Sequence, residues 1–162
     1  HLAHKTESDV VRLGIGDPAA LEQAWAEIQA NGGDKLEAVL VQRMVRSQRE
    51  FVAGMNRDPQ FGPCVMFGLG GIFTEVLRDV VFRVAPLERQ DAHDMLDEIQ
   101  GKKLLDEFRG QPPVKREALV ELLMGLGRVG LEQEAIEEID VNPILIDGDA
   151  PLAVDALVVL KV

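Results

Sequence analysis

Apolar residues recur along the chain with two spacings, one typical of helices and one typical of strands. The first helical pattern covers residues 17–33, where an Asp-Pro pair supplies an N-cap and a first-turn proline and a Gly-Gly pair supplies the stop. Helical spacing returns over residues 92–99, over a short segment at residues 102–108 and over residues 119–129. The last of these has one clean apolar stripe, which predicts an amphipathic helix.

Segments rich in β-branched residues surround these helices and predict strands. Two of them are separated by a short polar stretch and predict an antiparallel pair, and the last two meet at Asp147-Gly148, a hairpin signal. The predicted strands cover residues 10–15, 38–45, 50–55, 63–67, 75–84, 136–146 and 152–160. Because strands and helices come in separate runs, the order favours an α+β fold with a largely antiparallel sheet and flanking helices over a doubly wound parallel sheet.

The composition narrows the possible functions. The chain has 162 residues, 46% of them hydrophobic and only 4% aromatic, so we expect an aliphatic core. Its net charge of −11, from 28 acidic and 17 basic residues, argues against a nucleic-acid-binding surface. No apolar run approaches the roughly 20 residues that cross a bilayer, and no apolar leader opens the chain. We therefore expect a cytoplasmic protein with no membrane association.

The closing hairpin carries the polar residues with the clearest chemical potential. Asp140 and Asn142 are two residues apart, which places both side chains on one face of a strand, and Asp155 follows on the return strand. All three interrupt apolar segments, where a carboxylate is costly unless it is paired or bound to a metal. Their oxygen atoms suit Mg²⁺. The alternative is the solvated face of an edge hairpin, and spacing alone does not exclude it.

Two other features are less specific. The glycine-rich residues 68–71 follow a strand and could line an anion with backbone N–H groups. They match neither the P-loop nor the dinucleotide-binding fingerprint, and an ordinary strand-end loop is an equal alternative. The single Cys64 lies in an apolar run, which favours a structural thiol over a nucleophile, and one cysteine excludes an intrachain disulfide.

Seven ordered segments together resemble a known family. They lie at residues 39–45, 49–54, 58–63, 67–72, 75, 83–87 and 138–143. In this order they are similar to the ATP-grasp domain of NDP-forming (ADP-forming) acyl-CoA synthetases, which are relatives of the succinyl-CoA synthetase β subunit. The resemblance implies an ATP-grasp-type fold, with ATP/ADP and Mg²⁺ as cofactors.

The resemblance also implies roles for individual residues. Asn142 and Asp155 match the family's Mg²⁺ ligands, and Asp140 matches an acidic position beside the transferred phosphate. Gly70 and Gly71 match a loop that a phosphohistidine segment approaches.

Further matches lie earlier in the chain. Glu50 and Glu75 match acidic positions of the family, and His4 matches a histidine that resembles a phosphoryl relay between sites. The segment whose backbone meets the adenine corresponds to Gln42, Arg43, Met44 and Val45.

The implied reaction converts a carboxylic acid, CoA and ATP into acyl-CoA, ADP and phosphate through an acyl phosphate and a phosphohistidine. Residues 1–33 would be a remnant of the family's N-terminal subdomain, and residues 34–162 would form its C-terminal nucleotide-binding subdomain. The CoA-binding and phosphohistidine-bearing domains would be partners, in the same chain or in another subunit, so we expect this chain alone to be inactive. The alternative is a non-catalytic regulatory module, like those fused to lysine acetyltransferase domains.

Overall fold

A computed structural model describes residues 9–71 and 78–161 of the chain. It has two compact units, His1–Val45 and Arg46–Val162. Among the helices within the described ranges, none combines the length and apolarity needed to cross a membrane. The division into residues 1–33 and 34–162, which comes from the family resemblance, stays a prediction.

The first unit contains helix α1 (Pro18–Gly32), which begins and ends where its sequence predicts. The Asp17 carboxylate accepts a hydrogen bond from the backbone N–H of Ala20 at 2.9 Å, and Gly33 ends the helix with a φ of 51°. The strand predicted for residues 10–15 is wrong, because these residues have no regular secondary structure. No strand of the described first unit offers them a pairing edge, and β-branched content alone does not make a strand.

Within the described residues, the second unit is built on a six-stranded sheet in which neighbouring strands pair antiparallel. The sheet order is β3-β2-β1-β4-β5, and β6 also pairs with β4. Its elements are β1 (Glu50–Asp58), β2 (Gly62–Leu69), β3 (Val80–Val84), α2 (Arg89–Glu98), α3 (Arg116–Glu132), β4 (Ile136–Asp147), β5 (Ala150–Ala153) and β6 (Ala156–Leu160), with a short 3₁₀ helix (Gln100–Leu105) after α2. The predicted α+β fold with flanking helices is therefore confirmed.

Strand β1 is the central strand, and this explains a second wrong prediction. Residues 38–45 were expected to pair with β1, but they have no strand structure. Strand β1 is hydrogen bonded along one edge to β2 and along the other edge to β4. Because both edges are occupied, β1 has no free edge for a further strand.

Helices α2 and α3 cover one face of the sheet and form the core with it. The centre of this core is partly aromatic, since Phe51 of β1 and Phe67 of β2 are fully buried and stack with ring centroids 5.6 Å apart. Apart from this stacked pair, the buried core residues described by the structure are aliphatic or Met, as the composition predicts. Side chains alternate along a strand, so Glu50 and Asn56 of β1 point to the opposite face.

Candidate functional site

The ladder between β1 and β4 is interrupted at Asn142–Pro143. Between the pairs Ala53–Val141 and Phe51–Ile144, two residues of β4 lie opposite a single residue of β1. Pro143 has no N–H to donate, which makes a regular ladder impossible at this position. On the other edge of β4, the return strand breaks at Val154 and Asp155, between the end of β5 and the start of β6. Such a bulge redirects side chains locally, and bulges are common beside active sites.

The interruption brings together the three polar residues of the predicted hairpin site. The backbone N–H of Asn142 donates to the carbonyl of Asp155 at 3.2 Å, so the two residues face each other across the strand pair. The Asn142 side chain also hydrogen bonds to the Asp140 carboxylate. Asn142 and Asp155 are exposed, whereas Asp140 is half-buried. Opposite Asp140 on β1 lies Gly54, where an added Cβ would lie 2.7 Å from the carbonyl oxygen of Ile139.

Negative charge is concentrated around Asp140. Burial raises the pKa of the Asp140 carboxyl above its ordinary value, and the nearby carboxylate of Glu138 raises the pKa further. The hydrogen bond from Asn142 opposes this shift, while the charge of Asp155 adds to it. Burial and the two neighbouring carboxylates therefore disfavour the ionised form of Asp140, and a cation beside its oxygen atoms would offset this effect.

The donor set fits Mg²⁺ in its chemistry. Asn142 and Asp155 offer one amide and one carboxylate, and Mg²⁺ usually takes one or two carboxylates and completes its shell with water and phosphate oxygens. Residues 9–71 and 78–161 contain no group of three or more His, Cys, Asp or Glu side chains that could hold a metal ion. These ranges therefore contain no site in which such side chains alone would hold a metal. The site at Asn142 and Asp155 suits a metal ion that is also bound by the phosphates of a nucleotide.

The glycine loop at the end of β2 contacts the start of β1. The backbone N–H of Gly70 donates to the carbonyl of Glu50 at 2.9 Å. A Cβ on Gly70 would lie 2.6 Å from Cγ of Glu50, and a Cβ on Gly71 would lie 3.1 Å from its Oε2. Gly71 also has a φ of +62°, which favours glycine. The structure thus brings three of the predicted site residues together and explains why two are glycines.

Asp79 supports this loop, and sequence reasoning missed it. Its side chain is 4% exposed, and its carboxylate accepts hydrogen bonds from the N–H groups of Gln100 and Gly101 at 2.7 and 2.8 Å. Its carbonyl accepts the N–H of Leu69 at 3.1 Å, directly before the loop. In the sequence, Arg78 and Asp79 interrupt the strand predicted for residues 75–84, which suggests a bend but gives no reason to expect a buried carboxylate.

The remaining predicted residues belong to the first compact unit or lie outside the described residues. The adenine segment, residues 42–45, belongs to the first compact unit, where Gln42, Arg43 and Met44 are exposed and Val45 is half-buried. His4 and Glu75 lie outside the described residues.

Cys64 is a free thiol with intermediate exposure. Burial, followed by the charge of Asp58, raises the pKa of this thiol. Both effects disfavour the thiolate, so Cys64 is poorly suited to act as a nucleophile, as its sequence context predicted.

The fold and the site together define an α+β protein with a cluster of oxygen-bearing side chains on the sheet face opposite its helices. A family model described as the ATP-grasp domain matches residues 1–160. The chain therefore belongs to the ATP-grasp family, and the resemblance found in the sequence is confirmed.

Named relatives place the chain within this family. It is 42% identical to the acetate–CoA ligase (ADP-forming) I subunit beta of Pyrococcus furiosus, with 98% of this chain matched to 71% of that protein. It is 38% identical to the acetate–CoA ligase (ADP-forming) I of Archaeoglobus fulgidus, again over 98% of this chain but only 24% of that protein. The chain thus spans most of the first relative and about a quarter of the second.

A solved structure agrees with these relatives. A dinucleotide-forming acetyl-coenzyme A synthetase 1 of Candidatus Korarchaeum cryptofilum matches with a TM-score of 0.87 and 42% identity. The match covers 99% of this chain and 72% of that chain. That protein was solved with coenzyme A and Mg-AMPPCP, with a phosphohistidine segment pointing towards its nucleotide-binding site.

Replacing Asp140 by Asn tests the electrostatics of the site. The folded state raises the pKa of Asp140 above the ordinary value of about 3.9, so between these two pKa values the folded chain binds more protons than the unfolded chain. Wild-type stability therefore falls as the pH rises through this range. Asp140→Asn should raise the free energy of unfolding by roughly 0.5–2 kcal/mol at neutral pH, with the gain vanishing below about pH 4. Urea titrations at a series of pH values measure the difference.

Glu137→Gln is the matched control, because Glu137 is an exposed carboxylate of the same strand. Its effect on the free energy of unfolding should stay within about 0.5 kcal/mol. An Asp140→Asn variant that is no more stable than the parent at neutral pH would contradict the proposed repulsion.

Proposed function

We propose that this chain is the ATP- and Mg²⁺-binding part of an ADP-forming acyl-CoA synthetase. The larger protein would convert a carboxylic acid, CoA and ATP into acyl-CoA, ADP and phosphate. The observation that carries this proposal is the cluster of Asp140, Asn142 and Asp155 beside the point where the pairing of β4 with β1 is interrupted. The ligases among the relatives support the reaction type, and neither named sequence relative supports the regulatory alternative.

Different residues of the chain would contact the metal ion, the transferred phosphate and the adenine base. Asn142 and Asp155 would hold Mg²⁺, which supplies the charge neutralisation that phosphoryl transfer requires. The half-buried carboxylate of Asp140 would lie beside the transferred phosphate. The glycine loop would offer its backbone to the approaching phosphohistidine segment, with Glu50 beside it, and residues 42–45 would meet the adenine with their backbone.

The domains that complete the reaction would be supplied in one of two ways. One relative is named as a beta subunit, whereas the other is a single longer chain of which this chain covers 24%. CoA-binding and phosphohistidine-bearing domains could thus belong to a partner subunit or to the same polypeptide, and we propose that the chain does not turn over without them. Under this proposal, residues 1–33 belong to the N-terminal subdomain, residues 34–162 form the nucleotide-binding subdomain, and the protein is cytoplasmic.

Removing one proposed metal ligand should weaken nucleotide binding. In the natural polypeptide that carries this chain, Asp155→Asn should lower the affinity for AMPPCP in the presence of Mg²⁺ by roughly 10–100-fold, because a charged oxygen ligand is lost. Isothermal titration calorimetry measures this affinity. Glu137→Gln should bind within about 2-fold of the parent. Equal affinity in the parent and in Asp155→Asn would refute the metal assignment.

The proposed relay role of His4 is tested by direct detection of the modified residue. After incubation of the natural polypeptide with ATP, mass spectrometry under alkaline conditions should find phosphate on the peptide that contains His4. His4→Ala should abolish this signal and slow overall turnover. His93→Ala should leave both unchanged, because His93 pairs with Glu117 between α2 and α3, away from the proposed site. Normal turnover in His4→Ala would exclude the relay.

A further inference from the structure

Arg49, the residue directly before β1, is a buried cation that has no acidic partner within residues 9–71 and 78–161. Its side chain is 0% exposed. Burial lowers the pKa of its guanidinium, and no carboxylate contributes to the shift. Buried charges are normally paired because an uncompensated charge is expensive to remove from water. The position therefore requires a specific explanation.

Backbone carbonyls take the place of the missing carboxylate. They come from three chain segments: the end of the 3₁₀ helix with the residues after it, the Pro-Pro segment before α3, and the turn between β4 and β5. The distances to the guanidinium are 3.4 Å for Leu104, 3.4 Å for Asp106, 2.9 Å for Pro112 and 2.7 Å for Gly148. A planar guanidinium with several fixed donors can bridge such dispersed acceptors, whereas a lysine ammonium reaches fewer of them.

The hydrogen bonding of Arg49 is incomplete, which argues against a purely stabilising role. Its Nε is a buried side-chain nitrogen with no hydrogen-bond partner within the described residues. An unsatisfied buried donor typically costs about 1–3 kcal/mol. A well-packed apolar side chain can replace a buried charge at little or no cost to stability. The presence of a guanidinium at this position is thus better explained by its fixing of the three chain segments whose carbonyls it binds.

Arg49 also connects the two parts of the candidate site through the backbone. Its carbonyl accepts the N–H of Ile146 on β4 at 3.2 Å, and its side chain holds the following turn at Gly148. The next residue, Glu50, accepts the N–H of Gly70 in the glycine loop. Arg49 is therefore bonded to the hairpin that carries Asn142 and lies one residue from the contact that holds the loop.

We propose that Arg49 is a positioning residue, which fixes the hairpin bearing Asn142 and Asp155 relative to the glycine loop. This inference rests on the proposed function, because the relative position of the hairpin and the glycine loop is important only if both bind the same magnesium nucleotide. Arg49 touches neither metal nor nucleotide in this account. It acts by holding β4, the turn after it and the start of β1 in one arrangement.

Arg57, at the opposite end of β1, is a matched control. In the described part of the chain, its guanidinium also bonds to backbone carbonyls alone, those of Ile136 at 2.7 Å, Gly130 at 2.6 Å and Gln133 at 2.9 Å. These carbonyls lie at the end of α3 and the start of β4, away from the turn at Gly148. Loss of Arg57 should therefore reduce stability without loosening the hairpin at Asn142.

The test compares Arg49→Lys, Arg49→Met and Arg57→Lys in the natural polypeptide. The first measurement is hydrogen exchange, without nucleotide, at the amides of Asn142 and Val154, which bond across the break at Asp155. Arg49→Lys should accelerate both by about 10-fold, because their local opening becomes easier. It should also weaken binding of AMPPCP with Mg²⁺ by about 10-fold. Arg57→Lys should change neither by more than about 2-fold, even where it lowers the melting temperature.

Equal effects of Arg49→Lys and Arg57→Lys, or a lower melting temperature without faster exchange at the two amides, would overturn the proposal. If Arg49→Met does not fold, Arg49→Lys still decides, because it keeps the charge and shortens the reach. A parent protein that binds no magnesium nucleotide would refute the proposed function, and the exchange measurement would still decide the role of Arg49.

Discussion

The missing N–H of Pro143 determines where the candidate site can form. It prevents a regular hydrogen-bonded ladder between β1 and β4 at Pro143. On the other edge of β4, the return strand breaks between Ala153 and Ala156. Such a break redirects the side chains beside it. Asn142 and Asp155 occupy this position, and Asp140 lies two residues away on the same face.

The electrostatics of the site oppose folding in the absence of a cation. Glu138, Asp140 and Asp155 concentrate negative charge beside a half-buried carboxyl group, and burial raises its pKa. Locally destabilising arrangements are typical of functional sites, where stability is traded for activity. The cost is understandable if the site binds a magnesium nucleotide, whose metal would bring positive charge to these carboxylates. The fold thus accepts a local penalty at the position where the proposed chemistry takes place.

Sequence predicted the features that depend on neighbouring residues. The Asp-Pro start of α1 and the Asp147-Gly148 turn are local signals, and both elements form where expected. The strand predicted for residues 38–45 failed because pairing depends on a free edge, and β2 and β4 occupy both edges of β1. The burial of Arg49 could not be foreseen, because its carbonyl partners lie 55 to 99 residues away in the chain. Asp140, Asn142 and Asp155 were found by their polar interruption of apolar strands, and the family resemblance was needed to assign their roles.

The central claim is that Asn142 and Asp155 hold the magnesium ion of a bound nucleotide. A crystal structure of the natural polypeptide with Mg²⁺ and AMPPCP tests this claim most directly. The account predicts a metal ion about 2.0–2.1 Å from the side-chain oxygens of both residues, with phosphate oxygens and water completing its shell. A nucleotide whose metal is ligated by other side chains, with Asn142 and Asp155 directed away from it, would contradict the account.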